Sequence, residues 1–432
     1  MAQEAAPWQQ NAPVVARGAS SEGVVHVFWL AGMSCDGCSV SALGAIHPSL
    51  EDMVMGRIPV LPQMVLHHPM LAEDAGQHFM EPFREAVEGT LGAPYVMVVE
   101  GSIPDDQTFE HAGQYAGLGV GSDWPRSLPE SRAPDQPLRA SDWIWALAPG
   151  AAASIAIGTC ATWGGIPAAA GNITGSMGLM DYLGADYRSS KGLPVVNVPG
   201  CAPVGDNFTE TLSSVLQFME GIGPVPDFDE LGRPAWLFEE TVHRHCPKAG
   251  YYEEGVFAEE PGDNQCLVEI GCWGPVVQCN IVERGAINHM GGCMVAGGAC
   301  IGCTMPGFPD KYSPFYKAPP GSAISGGISK VYGGGIRRLR RMSMKTGNRE
   351  PLWDQTEVVA SGWGRGTGKR DPVDKMTAFF YKKLQYHGSV HQGKRYKKQP
   401  LPQSLDILRQ KGVDLDQSVD VLGERIKPRE EI

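Results

Sequence analysis

The sequence predicts an α/β protein: an open, parallel sheet at the N-terminal end, an irregular cysteine-rich domain behind it, and a long C-terminal extension. Three observations carry this. Apolar runs of strand length recur with helical stretches between them, as parallel sheets covered on both faces require. Glycine-rich loops bearing cysteine follow three of those runs. Past about residue 240 the alternation stops, and cysteines set among glycines take its place.

The run VVHVFWL at 24–30 reads as a buried strand, and a helix is expected to begin near Ser39, beyond the loop that carries Cys35 and Cys38. APYVMVVEGSIP holds a second strand, with Glu100 and Gly101 at its carboxyl end. DWIWALAPGAAASIAIGTCATWGG supplies a third element, whose 155–158 portion reads as a strand ending just before Cys160. LPVVNVPGCAPVGDNF repeats the pattern, with Cys201 after the strand. In open α/β sheets the ligand site lies off the carboxyl ends of the strands. Cys35, Cys38, Cys160 and Cys201 are therefore expected to meet there, although 166 residues separate the first from the last. The expected domains are residues 20–240 for the sheet, 241–315 for the cysteine-rich region and 316–432 for a basic extension making an oligomer or partner contact.

With 432 residues there is length for two or three domains, and 55 glycines with 34 prolines imply many tight turns. The net charge of −12 is unevenly spread. Residues 1–330 hold 15 Lys and Arg against 36 Asp and Glu, whereas residues 331–400 hold 16 against 5. No nucleic-acid-binding motif stands beside the basic stretch, so a nucleic-acid role is set aside. A solvated extension accounts for it, as does an apron docking on an acidic partner or an anionic membrane surface. The opening MAQEAAPWQQNAPVVARGAS has neither the basic start nor the apolar centre of a signal peptide. No stretch reaches the roughly 18 uninterrupted apolar residues of a spanning helix. A cytoplasmic protein is expected, peripheral to the inner membrane face at most. Eleven cysteines, an odd count, argue against a disulfide framework.

The cysteines fall into three groups. Cys35-x2-Cys38 with Cys160 and Cys201 gives four thiols flanked by glycines, including Gly32, Gly37, Gly158, Gly165 and Gly200, which let backbone N–H groups approach inorganic sulfur. Four buried, idle thiols are the bland reading. His243-x2-Cys246 with Cys266-x5-Cys272 offers one nitrogen and three sulfurs, a set that zinc and a [4Fe–4S] cluster both accept. His245 competes with His243, but its place directly before Cys246 makes joint ligation awkward. Cys279, Cys293, Cys300 and Cys303 form a sulfur-only set, which means zinc or iron–sulfur. Three groups using all eleven cysteines look like a series of redox centres, since zinc cannot change valence. A three-zinc scaffold and a ferredoxin-like carrier are the rival readings.

These spacings resemble the small subunit of [NiFe] hydrogenases over roughly residues 22–315, through SCDGCS, GTCATWGG, PGCAPVGDN, HRHC and ACIGC in that order. The resemblance implies a flavodoxin-like N-terminal domain and an iron–sulfur cluster domain after it. It implies three [4Fe–4S] clusters: proximal on Cys35, Cys38, Cys160 and Cys201, distal on His243, Cys246, Cys266 and Cys272, and medial on Cys279, Cys300 and Cys303. Most relatives carry proline where this chain has Cys293, so a fourth medial thiolate is expected here. The short GCWGPVVQCN spacing, GCTMPGFPDKYSPF and the long tail resemble the actinobacterial-type high-affinity uptake branch. The extra proximal cysteines of oxygen-tolerant membrane-bound relatives are replaced by Gly37 and Gly165.

The resemblance further implies H2 oxidation with the Ni–Fe centre in an obligate NiFe large subunit, a dimer or higher oligomer of heterodimers, and a quinone, cytochrome or small redox protein as acceptor. The alternative is a non-hydrogenase iron–sulfur electron-transfer protein related to the cluster-bearing chain of complex I. No residue of this chain is expected to be catalytic in itself. Glu100 is either a neighbour of the proximal loop or a capping carboxylate. Trp163 and Trp273 are expected to keep water from the cluster loops.

Overall fold

The computed structural model describes residues 23–310 apart from 106–114, 129–131, 170, 171, 173, 185, 230, 255 and 276. Over that range the chain divides into two compact units, one running to Pro234 and one beginning at Ala235. The basic stretch and the extension expected at 316–432 lie outside the described residues.

Strands of the first unit are β1 (Val24–Ala31), β2 (Gln63–His67), β3 (Tyr95–Glu100), β4 (Gly117–Val120), β5 (Pro137–Arg139), β6 (Ala153–Ile157) and β7 (Val196–Val198). Five of them make one sheet in the order β2-β1-β3-β6-β7, with every neighbouring pair parallel. β4 and β5 form a separate antiparallel ribbon. The order is that of a flavodoxin-like, doubly wound sheet, in which the strand sequence reverses between β1 and β3.

Alternation along the strands decides which side chain goes where. Phe28 and Leu30 of β1 join Met97, Val99 and Ala156 on one face, under helices α2 (Gln77–Glu88) and α3 (Ala140–Leu147). Val25, Val27 and Trp29 join Val96, Val98, Ile155 and Ile157 on the other, under α1 (Gly37–Leu43) and α5 (Gly205–Met219). Every residue of β3 and β6 is buried, so both strands read as continuous apolar runs in the sequence. Phe28 meets Phe83 of α2 at 4.6 Å between ring centroids, and Trp29 meets Phe208 of α5 at 5.3 Å. Each such side chain, fully buried, contributes about 1.5–3 kcal/mol.

Two contacts place the helix that bears Cys38. At Gly205 a Cβ would stand 2.1 Å from the carbonyl oxygen of Ser41, so α5 and α1 touch through backbone there. Asp206 Oδ1 accepts from the N–H groups of Ile46 (2.8 Å) and His47 (2.9 Å), fixing the chain just past α1.

The second unit has no sheet among its described residues. It is built of short turns: the 3-10 segments Val242–His245 and Leu267–Ile270, and helices Ala249–Glu254 and Ile281–Arg284. Its apolar core includes Cys266, Cys272 and Cys300 beside Trp273, Met294, Met305 and Phe308, with Cys246, Cys279 and Cys303 packed against them. Among the described residues of the whole chain, no helix is long and apolar enough to cross a membrane.

Candidate metal centres

The first group sits where the sheet topology puts it. Cys35 and Cys38 follow β1, Cys160 lies in α4 (Gly158–Trp163) directly after β6, and Cys201 follows β7. Burial pushes the Cys38 thiol far up, and Glu100, Cys160, Cys35 and Cys201 all add to the shift, which places the four sulfurs within mutual electrostatic reach. Burial also raises Cys160, to about 11, although the Ile166 N–H donates to its sulfur and works the other way. The loops are tied together as well. Thr159 N–H donates to the Gly200 carbonyl (2.9 Å) and Gly200 N–H donates to Thr159 Oγ1 (3.0 Å). A Cβ at Gly158, whose φ is +84°, would lie 2.3 Å from Cys38 Sγ, and one at Gly165 would lie 2.8 Å from Cys160 Sγ. Any larger residue there would fill the space the sulfurs use.

Glu100 answers both of its expected roles. It is 1% exposed. Oε1 accepts from the N–H groups of Cys38 (3.0 Å) and Ser39 (3.3 Å), at the first turn of α1. Oε2 accepts from Trp29 Nε1 (3.0 Å) and from the Ser39 hydroxyl. The carboxylate thus caps the helix that carries Cys38, where the helix dipole favours negative charge. Ser39 is in turn 2.9 Å from Nε2 of His68, whose Nδ1 accepts from the Met70 N–H (3.1 Å). That contact puts the imidazole proton on Nε2, aimed at Ser39.

The second group lines a single cavity: His243, Cys246, Cys266 and Cys272 all border it, together with Lys248. Burial lowers His243 to about 3, so its imidazole is neutral, and its ring meets Tyr252 edge-on at 4.7 Å. His245 points elsewhere, with Nε2 2.8 Å from Glu240 Oε2. Burial raises Cys246 to about 12 and Cys266 well above the ordinary thiol value. Cys272 is also raised by burial, although its Sγ accepts from the N–H groups of Cys300 (3.3 Å) and Gly274 (3.4 Å).

In the third group, burial and then Cys272 push Cys300 up, with Cys303 and Cys279 adding to it, so these thiols share one neighbourhood. Cys293 is exposed, and its electrostatic effect falls on Cys272 of the second group. Trp163 and Trp273 are both buried, and Trp273 N–H donates to the Cys300 carbonyl (3.0 Å). Sequence reasoning missed Lys248 as part of any site. Its place in the cavity depends on a fold of residues 258–266 that no spacing rule announces.

All eleven cysteines are free thiols. Among the described residues no three His, Cys, Asp or Glu side chains converge tightly enough to grip one metal ion. The donors fit metal-cluster chemistry in kind: soft sulfur, one neutral nitrogen, N–H groups aimed at sulfur, and glycines where sulfur needs room.

Comparison with known proteins identifies the family. A family model for the C-terminal part of the NiFe/NiFeSe hydrogenase small subunit matches residues 238–316, and one for the NADH ubiquinone oxidoreductase 20 Kd subunit matches residues 35–215. The chain is 36% identical to the periplasmic [NiFeSe] hydrogenase small subunit of Desulfomicrobium baculatum over 310 residues, which cover 68% of this chain and 91% of that one. It is 32% identical to the periplasmic [NiFe] hydrogenase small subunit 1 of Nitratidesulfovibrio vulgaris over 314 residues, covering 71% and 86%. Among solved structures it is similar to the actinobacterial-type NiFe-hydrogenase from Ralstonia eutropha H16, with 47% identity, a TM-score of 0.67, and coverage of 81% of this chain and 97% of that one.

The relatives correct one expectation. The sequence reading points to a cytoplasmic protein, whereas these two curated relatives are periplasmic. An opening without signal-peptide character does not report the compartment of an assembled protein. Cysteine parity reports only on disulfides, and free thiols carry no information about location. Family and function stand on the length and identity of the match: the chain belongs to the [NiFe]/[NiFeSe] hydrogenase small subunits, the electron-transferring partners of the large subunit in these H2-oxidising enzymes.

Proposed function

We propose that the three groups hold three [4Fe–4S] clusters: a proximal one on Cys35, Cys38, Cys160 and Cys201, a distal one on His243, Cys246, Cys266 and Cys272, and a medial one on Cys279, Cys293, Cys300 and Cys303. When bound, such clusters supply sites that accept and release one electron at a time. The observation that carries this reading is the cavity bordered by all four distal donors. A four-iron cage spreads its ligands around a body of several atoms, so its donors stand further apart than those of a single ion.

The chain's own residues do the rest. Burial keeps Cys246 and Cys160 protonated until a cationic core replaces the proton, so loading releases protons and is favoured by higher pH. N–H groups from Ile166, Gly274 and Cys300 stabilise negative charge on sulfur. The neutral His243 leaves the distal site one negative charge poorer than a four-thiolate site, which favours its reduced form. Trp163 and Trp273 keep water away from the sulfurs.

In this reading the first unit is the proximal-cluster domain, the second unit is the medial and distal domain, and residues 316–432 serve contacts between protomers or with a partner. Val40 and Leu43 on α1 are 67% and 53% exposed, and Ile166 is 56% exposed. Such apolar side chains near Cys38 and Cys160 suit the face on which the Ni–Fe subunit would sit. Heterodimers would pair further, and the acceptor would be a quinone, a cytochrome or a small redox protein. The NADH ubiquinone oxidoreductase match ends at residue 215, before the eight donors from His243 to Cys303, which favours the hydrogenase reading of the second unit.

Iron and acid-labile sulfide analysis of the purified assembly tests the proposal. About twelve irons beyond the large subunit's own, without stoichiometric zinc, are expected for three four-iron clusters. Zinc in place of iron would overturn it.

A further inference from the structure

One of the residues lining the cavity of the second group is neither a proposed ligand nor apolar. Lys248 borders it beside His243, Cys246, Cys266 and Cys272. Its Nζ donates a 2.9 Å hydrogen bond to the main-chain carbonyl of Asp263. That carbonyl is itself held in place. The Asp263 carboxylate accepts from the N–H groups of Glu259 (3.1 Å) and Glu260 (3.2 Å), closing a turn, and Ala258 N–H donates to the Cys266 carbonyl (2.9 Å). The loop that delivers Cys266 therefore also seats Lys248.

A half-buried ammonium in so acidic a region would ordinarily find a carboxylate. Among the described residues none pairs with Lys248, whose bond goes to a neutral carbonyl. Its charge is felt by the thiols instead. Burial raises Cys246, Cys266 and Cys272, and Lys248 opposes that rise at all three. At Cys300 of the third group the leading influences are burial, other thiols and the Gly302 N–H.

We infer that Lys248 is a charge-setting residue for the distal site, holding its reduction potential above the value that its ligands alone would give. The inference rests on the cluster reading of that cavity proposed above. Adding an electron makes the site more negative, and a fixed cation at its wall stabilises that form more than the oxidised one. One electron arrives, and no bond is made or broken at Lys248. Together with the neutral His243, the lysine makes the distal site the favoured resting place for an electron in this unit, which biases transfer outward.

The competing role for Lys248 is a staple that merely fastens the 258–266 loop. Two variants in the intact assembly separate the roles. Lys248→Gln keeps an N–H donor for Asp263 and removes the charge; Lys248→Arg keeps the charge. Iron content and an equilibrium redox titration followed by electron paramagnetic resonance are the readouts. At a fixed ambient potential the Gln variant should show a reduced-to-oxidised ratio about tenfold lower at the distal site, a shift of about 59 mV for one electron. The other two signals should be unmoved and the Arg variant close to wild type. A Gln variant that titrates like wild type with full iron overturns the inference, and so does loss of distal iron on removing the charge. Failure of the cluster reading itself shows in the wild-type protein alone, as a missing distal signal and a deficit of iron.

Discussion

The two units of this chain solve the problem of holding cysteines in opposite ways. In the first, a five-stranded sheet buries apolar side chains on both faces, and the cysteines stand at its rim, Cys35 and Cys201 in loops and Cys38 and Cys160 in the short helices α1 and α4; only Cys38 belongs to either of its cores. In the second, cysteines are part of the core: Cys266, Cys272 and Cys300 are buried among its apolar side chains and Cys246, Cys279 and Cys303 pack against it, with short turns in place of sheet or long helix among the described residues. A rim site can lose its metal without losing its scaffold. A site whose sulfurs lie within the core cannot, because losing the cluster proposed there would leave a void among the side chains packed around it.

The largest expected effect compares one proposed ligand from each unit. Cys266→Ala should remove distal iron and destabilise the whole second unit, since Cys266 lies in its core. Cys201→Ala, at an exposed position, should remove proximal iron and leave the thermal unfolding of the first unit within about 1 kcal/mol of wild type. Iron analysis with limited proteolysis reads both, and equal protease sensitivity in the two variants would break the comparison.

A smaller effect is expected at Glu100, where the rim site draws on the sheet. Glu100→Gln replaces an acceptor-only group, bound by Cys38, Ser39 and Trp29 donors, with one that brings its own N–H groups. Loss of charge-assisted bonds in a buried place costs about 1–3 kcal/mol. Chemical denaturation should show that loss in the first unit only.

The smallest effect is the share of the pH dependence that comes from a histidine pair on β1 and β2. His26 Nδ1 and His67 Nε2 are 2.8 Å apart, and burial lowers both, His67 to about 4, with its neighbour His26 adding to the drop. The unfolded chain takes up protons at these sites near the ordinary value of about 6.5, before the folded chain does. Their contribution to stability is therefore complete above that pH, declines as pH falls, and levels off below about 4. His67→Gln should flatten this slope in a denaturation series between pH 7 and 4.

Much of the first unit was legible. β1, β3, β6 and β7 announce themselves because strands largely buried on both faces are mostly apolar, with single polar residues such as Glu100, Ser154 and Asn197 among them. β2 escaped notice: only Met64 in QMVLH is buried, so an edge strand leaves no apolar run. Helix α3 is separated from β6 only by the short turn at Pro149 and Gly150, and both flanks are apolar enough to read as one element. The four rim cysteines could be grouped because the ligand rule for open sheets fixes where loops converge. In the second unit no such rule exists; spacing favoured His243 over His245, which directly precedes Cys246, but could not say that His245 turns to Glu240. Lys248 was illegible for the same reason: its neighbour Asp263 comes from a turn whose closure is a tertiary fact.

Amide hydrogen exchange on the intact assembly, before and after gentle removal of iron, tests the central claim most directly. If the apolar core of the second unit is held together through the clusters proposed on its cysteines, protection across residues 235–310 should collapse on iron removal while β1, β3 and β6 stay protected. Protection that persists throughout 235–310 in the iron-free protein would contradict it.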